Sequence, residues 1–353
     1  MSKRHAWTLA LAGLLGGLWP AAGQVPADPQ ARVFVPGGGD QPAVRLTPGQ
    51  RFVLSNGEMM LIDPKAVNGA GNGHGAGGVN GNGGNGRERE HIKDNSFFIE
   101  EAYNQEPGVV QHIFNGVGFW DWDNGRTREF AYLFTMELPL GSEMHQFSFT
   151  LPFVTFFAEP DGGLPEEQGG WSDVALNYRY QLLKEDEGTP AIAPRISVIL
   201  PTGDEGRGLG TGEVGYEFLL PISKELDPFA FHINAGFAVT PDVSVPLGNG
   251  QTSPGRDLRS CFLGASAIWL ATYDFNVLLE FFTVWDEGLD ETGRRDRTTE
   301  VVISPGVRYA LFTGEEVQWV IGGAVPVGLS KDAPDIGMFL YMSVEHNFLK
   351  NAE

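Results

Sequence analysis

The chain has 353 residues, a formal net charge of −21, 48 glycines and a single cysteine. The acidic balance argues against a nucleic-acid partner, because nucleic acids attract basic surfaces. One cysteine cannot form an internal disulfide, and beyond residue 23 no apolar run is long enough for a transmembrane helix. The length fits either two ordinary domains or one large β-barrel.

The first 23 residues have the pattern of a secretory signal peptide. Lys3 and Arg4 precede an apolar core, and Ala21 and Gly23 supply the small side chains of a cleavage site. We therefore expect residues 1–23 to be removed on export. A signal anchor that remains uncleaved is the alternative.

Residues 24–94 contain the tract NGAGNGHGAGGVNGNGGNG. This composition buries little apolar surface and cannot offset the entropy cost of ordering the chain. We predict a disordered, Gly/Asn-rich periplasmic linker for this region. Residues 95–107 carry several glutamates. We expect them to form a short amphipathic helix or an extended lead-in segment, at the periplasmic mouth of a barrel or partly inside its lumen.

From residue 108 to the C-terminus, segment after segment alternates between large apolar side chains and polar or small ones. Phe130, Tyr132 and Phe134, for example, alternate with Ala131 and Thr135. This period of two predicts β-strands. Twelve such segments occur, each around ten residues or more, which is about the length that a tilted strand needs to cross a bilayer. We predict an all-β, transmembrane antiparallel up-and-down β-barrel of about 12 strands over 108–353.

The connections between the predicted strands support this topology. Apart from the first, they alternate between long and short along the chain, and the stretch DEGLDETGRRDR (286–297) is one of the long ones. Outer-membrane barrels have long outer loops and short periplasmic turns, so we expect an even number of strands and both termini in the periplasm. A large soluble β-sandwich or a secreted barrel is the alternative.

One connection has the spacing of the dinucleotide-binding fingerprint, Gly210-x-Gly212-x-x-Gly215. That fingerprint requires a helix after the glycines, because the helix N-terminus binds the pyrophosphate. Here Tyr216 and Phe218 continue an alternation with period two, which predicts a strand. We interpret the glycines as a chain reversal between two membrane strands.

The alternation also assigns a set of polar side chains to the inward face of the barrel, where they would line the lumen. This set is Glu137, Asn177, Arg179, Arg195, Glu217, His232, Asn234, Asp274, Asn276, Glu280, Arg308, Gln318 and Glu345. Five of these residues are acidic and three are basic. We therefore expect ion pairs across a narrow channel, with a preference for cations or neutral solutes. The interior of a barrel of this size is intermediate in width between small barrels, which side chains fill, and wide porins, which enclose an aqueous channel.

The stretches NSFFIEEAYNQEPGVVQHI (95–113), DVALNYRYQLL (173–183) and APRISVILPTGDEGRGLGTG (193–212) resemble a known family. The chain is similar over about 95–348 to the meta-pathway phenol-degradation (MetA-type) family of outer-membrane transporters. The resemblance implies a β-barrel and a role in the passage of aromatic or other hydrophobic compounds. The Gly/Asn tract is not part of that pattern. The chain also ends on NFLKNAE, where many outer-membrane barrels end on an aromatic, and Phe348 would serve as that aromatic.

The sequence favours a channel in the bacterial outer membrane, for passive uptake or export of small solutes. A plugged structural or surface-interaction barrel, which binds a partner through its outer loops, is the alternative. We expect no enzymatic activity, no catalytic residue, no metal and no cofactor. A membrane-embedded hydrolase would need a serine in register with His232 or His346, and the sequence pattern indicates no such serine. The expected partners are outer-membrane lipid and lipopolysaccharide, a small-molecule solute and the barrel assembly machinery, with no nucleic acid.

Overall fold

A computed structural model describes residues 51–55, 58–62, 91–92, 94–122, 126–159, 166–247, 251–290, 292–314 and 316–348. The predicted signal peptide and most of the predicted linker lie outside these residues. Within the linker region, Arg51–Ser55 and Glu58–Ile62 pair as an antiparallel two-stranded sheet. This hairpin, which the Gly/Asn-rich composition did not predict, belongs to a separate unit of residues Ala27–Glu88.

Twelve antiparallel strands, numbered β1 to β12, form the barrel wall. They are β1 (Val109–Asp121), β2 (Arg126–Pro139), β3 (His145–Glu159), β4 (Val174–Tyr180), β5 (Arg195–Leu200), β6 (Gly215–Leu226), β7 (Phe229–Val243), β8 (Arg256–Trp269), β9 (Phe275–Leu289), β10 (Arg295–Thr313), β11 (Val317–Ala324) and β12 (Ile336–Asn347). Short strands at Glu166–Trp171, Ala191–Ile192 and Val327–Gly328 extend the sheet locally. No helix in the described ranges is long and apolar enough to span a membrane.

The sheet is closed because its last strand pairs with its first. Strand β12 runs antiparallel to β1, from Ile336 opposite Trp120 to Asn347 opposite Val109. Every other strand pairs with its neighbours in sequence order. Closure leaves no unpaired sheet edge and confirms the predicted up-and-down barrel of 12 strands. We call the end at which β1 begins and β12 ends the proximal end, and the opposite end the distal end.

The strand boundaries differ from the predicted ones in two places. Strands β4 and β5 have only 7 and 6 residues, fewer than the predicted ten. Pro194 separates β5 from Ala191–Ile192, which pairs with β6, because proline has no N–H to donate to a ladder. Conversely, β9 and β10 continue into the stretch 286–297 that was predicted to be a loop, and Glu287 pairs with Arg297.

The two faces of the wall differ in polarity, as the alternation predicts. On the outer face Tyr132, Ile196 and Leu340 are 56%, 57% and 54% exposed. Leu279 also points outward and is exposed, whereas its neighbour Glu280 is fully buried inside. A continuous apolar exterior around a polar interior is the arrangement of transmembrane barrels.

The glycine-rich loop between β5 and β6 reverses the chain at the distal end. Asp173 holds this loop, since its carboxylate accepts hydrogen bonds from Gly203 N (2.8 Å) and Thr211 N (3.0 Å). A Cβ at Gly210 would lie 2.4 Å from Asp173 Oδ1, and Gly212 has a φ of +75°. Burial raises the pKa of the Asp173 carboxyl, and hydrogen bonds from the loop oppose that rise. The glycines therefore serve the chain reversal.

Candidate functional site inside the barrel

A segment of the chain ahead of β1 occupies the proximal half of the lumen. We call residues 91–92 and 94–107 the luminal segment. It starts at the proximal end, where Ile92 N donates to Tyr273 O (3.1 Å), and it returns there before β1 begins. The described part of the segment contains no helix, so it takes the extended form of the two predicted. Ile92 and Asp94, which were predicted to belong to the linker, are buried.

Glu280 on β9 binds the innermost part of the luminal segment. Its Oε1 accepts hydrogen bonds from the backbone N–H groups of Phe97 (3.0 Å), Phe98 (2.9 Å) and Ile99 (3.2 Å). Consecutive amides that converge on a carboxylate form charge-assisted hydrogen bonds, which are stronger than neutral ones. Ser96 adds a side-chain contact nearby, with 2.7 Å between its Oγ and Ser266 Oγ on β8.

The returning half of the luminal segment is bound by side chains of strands β6 and β7 and of the residue that follows β4. Asn234 both accepts from Glu100 N (2.7 Å) and donates to Glu100 O (2.8 Å). Ser223 Oγ accepts from Ala102 N (2.7 Å), and Gln181 Nε2 donates to Ala102 O (2.7 Å). The backbone groups of an irregular segment therefore find partners on the wall, as buried backbone groups require.

Arg179 on β4 contacts the same part of the segment through all three of its guanidinium nitrogens. Its Nε donates to Asn104 Oδ1 (2.8 Å), its Nη1 to Glu101 O (3.2 Å) and its Nη2 to Tyr103 O (2.6 Å). Arg179 is buried. This rigid fork fixes the direction in which the segment leaves the lumen.

The buried charges of the proximal half form one network. Glu100 of the segment lies 2.7 Å from Arg195 Nη1 and 3.8 Å from Arg179 Nη1. Arg179 also lies 3.7 Å from Glu137, and Arg195 pairs with Glu217. These ion pairs join inward residues of strands β2, β4, β5 and β6 on one side of the barrel, and they include a glutamate of the luminal segment.

The first residues of the segment are bound by strands on the other side of the barrel. Asp94 Oδ1 accepts from Gln111 Nε2 (2.8 Å) and from the Tyr341 hydroxyl (2.7 Å). Arg308 on β10 donates to the carbonyl oxygens of Asp94 and Asn95. Asn276 on β9 donates to the carbonyl oxygen of Ile92 (3.3 Å).

The remaining residues of the predicted inward set have other positions. His232 Nδ1 lies 2.7 Å from Ser223 Oγ, its partner in the strand register, so the expectation that no serine is in register with His232 is wrong. Asn177 Nδ2 donates to Ser148 Oγ (3.1 Å). Asp274 lies in the turn before β9 and is half-buried. Gln318 and Glu345 face each other on β11 and β12 near the proximal end and are also half-buried. The predicted inward set therefore contains residues that bind the luminal segment and residues that contact other parts of the wall.

An apolar cluster, which the sequence analysis did not predict, joins the luminal segment to both sides of the wall. Phe98 packs on Phe282 and Phe339, with ring centroids 4.9 and 4.7 Å apart, and the cluster extends to Val117 and Val154. These wall residues occupy inward positions of the alternation. The signal was therefore present in the sequence, as apolar side chains at positions where a water-filled lumen would have polar ones.

Inward-facing glycines make room for the aromatic side chains of the segment. A Cβ at Gly306 or Gly322 would lie 2.6 Å from the ring of Phe97, and one at Gly264 would lie 2.3 Å from Ile99 Cδ1. Glycine within a strand marks a close approach by another group. These three positions are a second sequence signal for an occupied lumen.

A cavity remains between the luminal segment and the wall of β1 to β5. Its volume is about 50 Å³. The polar wall residues that line it include Asn115, Thr135, Ser148, Asn177 and Arg195. Small polar side chains in a water-sized space can hold solvent or a small solute.

The fold and the site together define a class of protein, a transmembrane β-barrel whose lumen contains a segment of its own chain. No protein-family profile matches the sequence, and no curated protein is significantly similar to it. The resemblance to the meta-pathway phenol-degradation family is therefore not confirmed at the level of the family.

Solved structures do match the fold. An outer membrane channel from Pseudomonas putida F1 has a TM-score of 0.55 at 11% identity, over 69% of this chain and 97% of that chain. The beta domain of the Bordetella autotransporter BrkA has a TM-score of 0.43 at 10% identity, over 69% and 100%. The CymD monoaromatic hydrocarbon channel has a TM-score of 0.32 at 9% identity, over 69% and 89%. The first match indicates a shared barrel fold. The TM-scores of the other two are too low to indicate a specific relationship.

Proposed function

We propose that the protein is an outer-membrane channel for small solutes, which its own luminal segment closes in the state described. One observation carries this proposal. The segment is bound inside a closed transmembrane barrel by polar and charged side chains of the wall, while the strands pair with one another without it. The segment can therefore leave without breaking the sheet.

The balance of contacts supports reversible seating. Groups such as Glu280, Asn234 and Arg179 hold the segment through hydrogen bonds and ion pairs, and water can replace these once the segment moves out. Each hydrogen bond contributes about 0.5–1.5 kcal/mol net when both partners are neutral and about 1.5–3 kcal/mol when one is charged, so the bound segment is stable and its release requires that water replace these bonds.

The orientation follows from the connections. Short turns, such as residues 227–228 between β6 and β7, lie at the proximal end, and long loops such as 201–214 lie at the distal end. In outer-membrane barrels the short turns face the periplasm. The proposal therefore places the linker and the plugged mouth in the periplasm and the distal loops against lipopolysaccharide, with insertion by the barrel assembly machinery.

The solute is proposed from the sequence resemblance alone. That resemblance points to aromatic or other hydrophobic compounds, carried passively and without enzymatic chemistry. The apolar cluster around Phe98 and Phe282 gives such compounds a compatible surface once the segment has moved.

A second candidate function is a permanently plugged barrel that binds a partner through its distal loops. The aromatic packing of Phe97 and Phe98 into glycine-lined niches favours it, because buried aromatic side chains are costly to expose. The two candidates differ in a single property, which is whether the segment leaves the lumen of the folded barrel.

A reversible disulfide lock separates the candidates. Ser96 and Ser266 have their Oγ atoms 2.7 Å apart, so a Ser96→Cys/Ser266→Cys pair is well placed for a disulfide. Cys261→Ser removes the natural thiol from this background. The single variant Ser96→Cys with Cys261→Ser is the matched control.

Single-channel conductance in planar bilayers is the measurement. The proposed function predicts no conductance from the oxidised double variant and conductance from the same protein after reduction, with a control that does not respond to reductant. Absence of current in both redox states would favour the permanently plugged barrel. Equal current in both states would show that the passage runs beside a seated segment, which contradicts closure by the segment.

A further inference from the structure

The distal half of the lumen contains a second buried cluster, which the luminal segment does not reach. Glu300 on β10 and Asp286 on β9 are 1% and 6% exposed, and both face inward because they share the alternation of Glu280 and Ser304. Glu129, on β2 at the far side of the barrel, acts electrostatically on Glu300, as does Asp332 of the connection before β12. We call these four residues the distal acidic chamber.

One carboxylate of this chamber, that of Glu300, is unusual for a buried group. Within the described part of the chain, neither carboxylate oxygen of Glu300 has a hydrogen-bond partner, and Asp286 Oδ2 has none either. Buried polar groups are almost always paired, because desolvation without compensation is costly. An inward-facing glutamate with two unpartnered oxygens therefore points to a group supplied from outside the chain.

The arginines closest in sequence to Glu300 do not neutralise it. Arg295 and Arg297, on the same strand, both pair with Glu287, at 3.4 and 2.9 Å. Asp332 accepts a hydrogen bond from the backbone N–H of Thr299 (2.9 Å). The buried carboxylate of Glu300 therefore lies behind two rim arginines that are engaged with Glu287.

The carboxylates of the chamber have apolar neighbours on the adjacent strands. In the strand register Glu129 lies opposite Phe119, and Glu300 lies opposite Val284. Val284 in turn lies opposite Phe262, and all three apolar residues belong to the buried cluster that contains Phe98. Carboxylates beside aromatic and aliphatic side chains suit a cation with an apolar stem, because carboxylates pair with the charged head and rings attract both cation and stem.

From this geometry we infer that the distal acidic chamber binds compact organic cations, in which a protonated primary amine is carried on a short apolar stem. Glu300 and Asp286 accept hydrogen bonds from the ammonium group, and the neighbouring Phe119 and Phe262 contact the stem. That such amines are also solutes of the channel rests on the proposed function, whereas binding itself does not.

The test is ligand-dependent thermal stability of the folded full-length protein in detergent micelles. The probe is butylammonium chloride, compared at equal ionic strength with potassium chloride and at equal concentration with butanol. A ligand that binds the folded state raises its melting temperature. We expect a concentration-dependent rise with butylammonium only, and an affinity about tenfold lower in Glu300→Gln, since the amide has no negative charge and only one acceptor oxygen for the ammonium group.

Two further variants make the test specific. Asp286→Asn should weaken butylammonium binding like Glu300→Gln, and it replaces that variant if Glu300→Gln does not fold. Glu143→Gln removes an acidic group at the exposed proximal turn, where it pairs with Lys184, and should bind like the parent. Equal affinity in parent and chamber variants, or an equal rise with butanol or potassium, would overturn the inference.

Conductance separates the failure of the inference from the failure of the proposed function. If butylammonium binding depends on Glu300 but the protein never conducts, the binding site is supported and the proposed channel function is contradicted. If the protein conducts but butylammonium binding does not depend on Glu300, the channel function is supported and the binding site is contradicted. Block of the current by butylammonium in the parent, and much weaker block in Glu300→Gln, supports both.

Discussion

In the proximal half of the lumen, Arg179 and Arg195 meet Glu100 of the luminal segment, whereas in the distal half Glu300 and Asp286 have carboxylate oxygens without partners. Both halves are built on the same strands, with inward residues only a few positions apart. The proximal charges are matched by a segment of the same chain. In the distal half, both carboxylate oxygens of Glu300 lack a hydrogen-bond partner among the described residues, which is an energetic cost typical of a binding site.

The energetic consequence is a difference in the sign of mutational effects. Removing one member of a matched buried pair leaves its partner uncompensated and destabilises the protein. Removing a buried charge that has no partner relieves a desolvation penalty and stabilises it. The following predictions test this contrast, from the largest expected effect to the smallest.

Arg179→Ala should produce the largest loss. It leaves Glu137 without its cation and three acceptors of the luminal segment without their donor. We expect the free energy of unfolding to fall by about 3–5 kcal/mol, measured by urea titration in detergent with heat-modifiable gel mobility as the readout. A loss below about 1 kcal/mol would mean that the proximal network is not a matched one.

Glu280→Ala should release the luminal segment. It removes the acceptor of three backbone N–H groups, and we expect seating to weaken by about 2–3 kcal/mol. Limited proteolysis should then cleave near Phe98 in the folded barrel, and channel openings should become more frequent. Glu143→Gln is the charge-matched control. Unchanged protection of Phe98 would contradict the role given to Glu280.

Glu300→Gln should act in the opposite direction. Because the amide is cheaper to bury than an unpartnered carboxylate, we expect the free energy of unfolding to rise by about 1–2 kcal/mol. The same urea titration measures it, in buffer free of amines. Destabilisation by this variant would indicate that Glu300 has a structural partner, and the contrast between the two halves would disappear.

Arg297→Ala should have the smallest effect. Its side chain is 74% exposed although it pairs with Glu287 at 2.9 Å, and exposed ion pairs contribute about 0–1 kcal/mol. The expected change in unfolding free energy is therefore within that range, and high salt should reduce it further. A larger loss would show that the distal rim supports the chamber beneath it.

The contents of the lumen could be predicted only in part. The alternation placed Glu280, Asn234 and Arg308 on the inward face, and all three are buried. It did not predict that they bind the luminal segment, because hydrogen-bond partners such as Glu280 and Phe98 are 182 residues apart in sequence. Asp286 was assigned to a distal loop, since charged residues near glycines resemble turn sequences. The pairing of β9 with β10 through Leu289 and Arg295 instead makes it an inward residue.

The sequence by itself determined the strands and the two faces of the barrel, since the side-chain period of a strand is two and a shift of one residue would expose the polar face to lipid. It also determined the even strand number and the chain-reversing role of Gly212. Only the tertiary structure decided what occupies the lumen. Closure of β12 on β1 encloses a space that residues from the whole chain share. Which charges meet there depends on register and on the path of the luminal segment, and neither is a local property of the sequence.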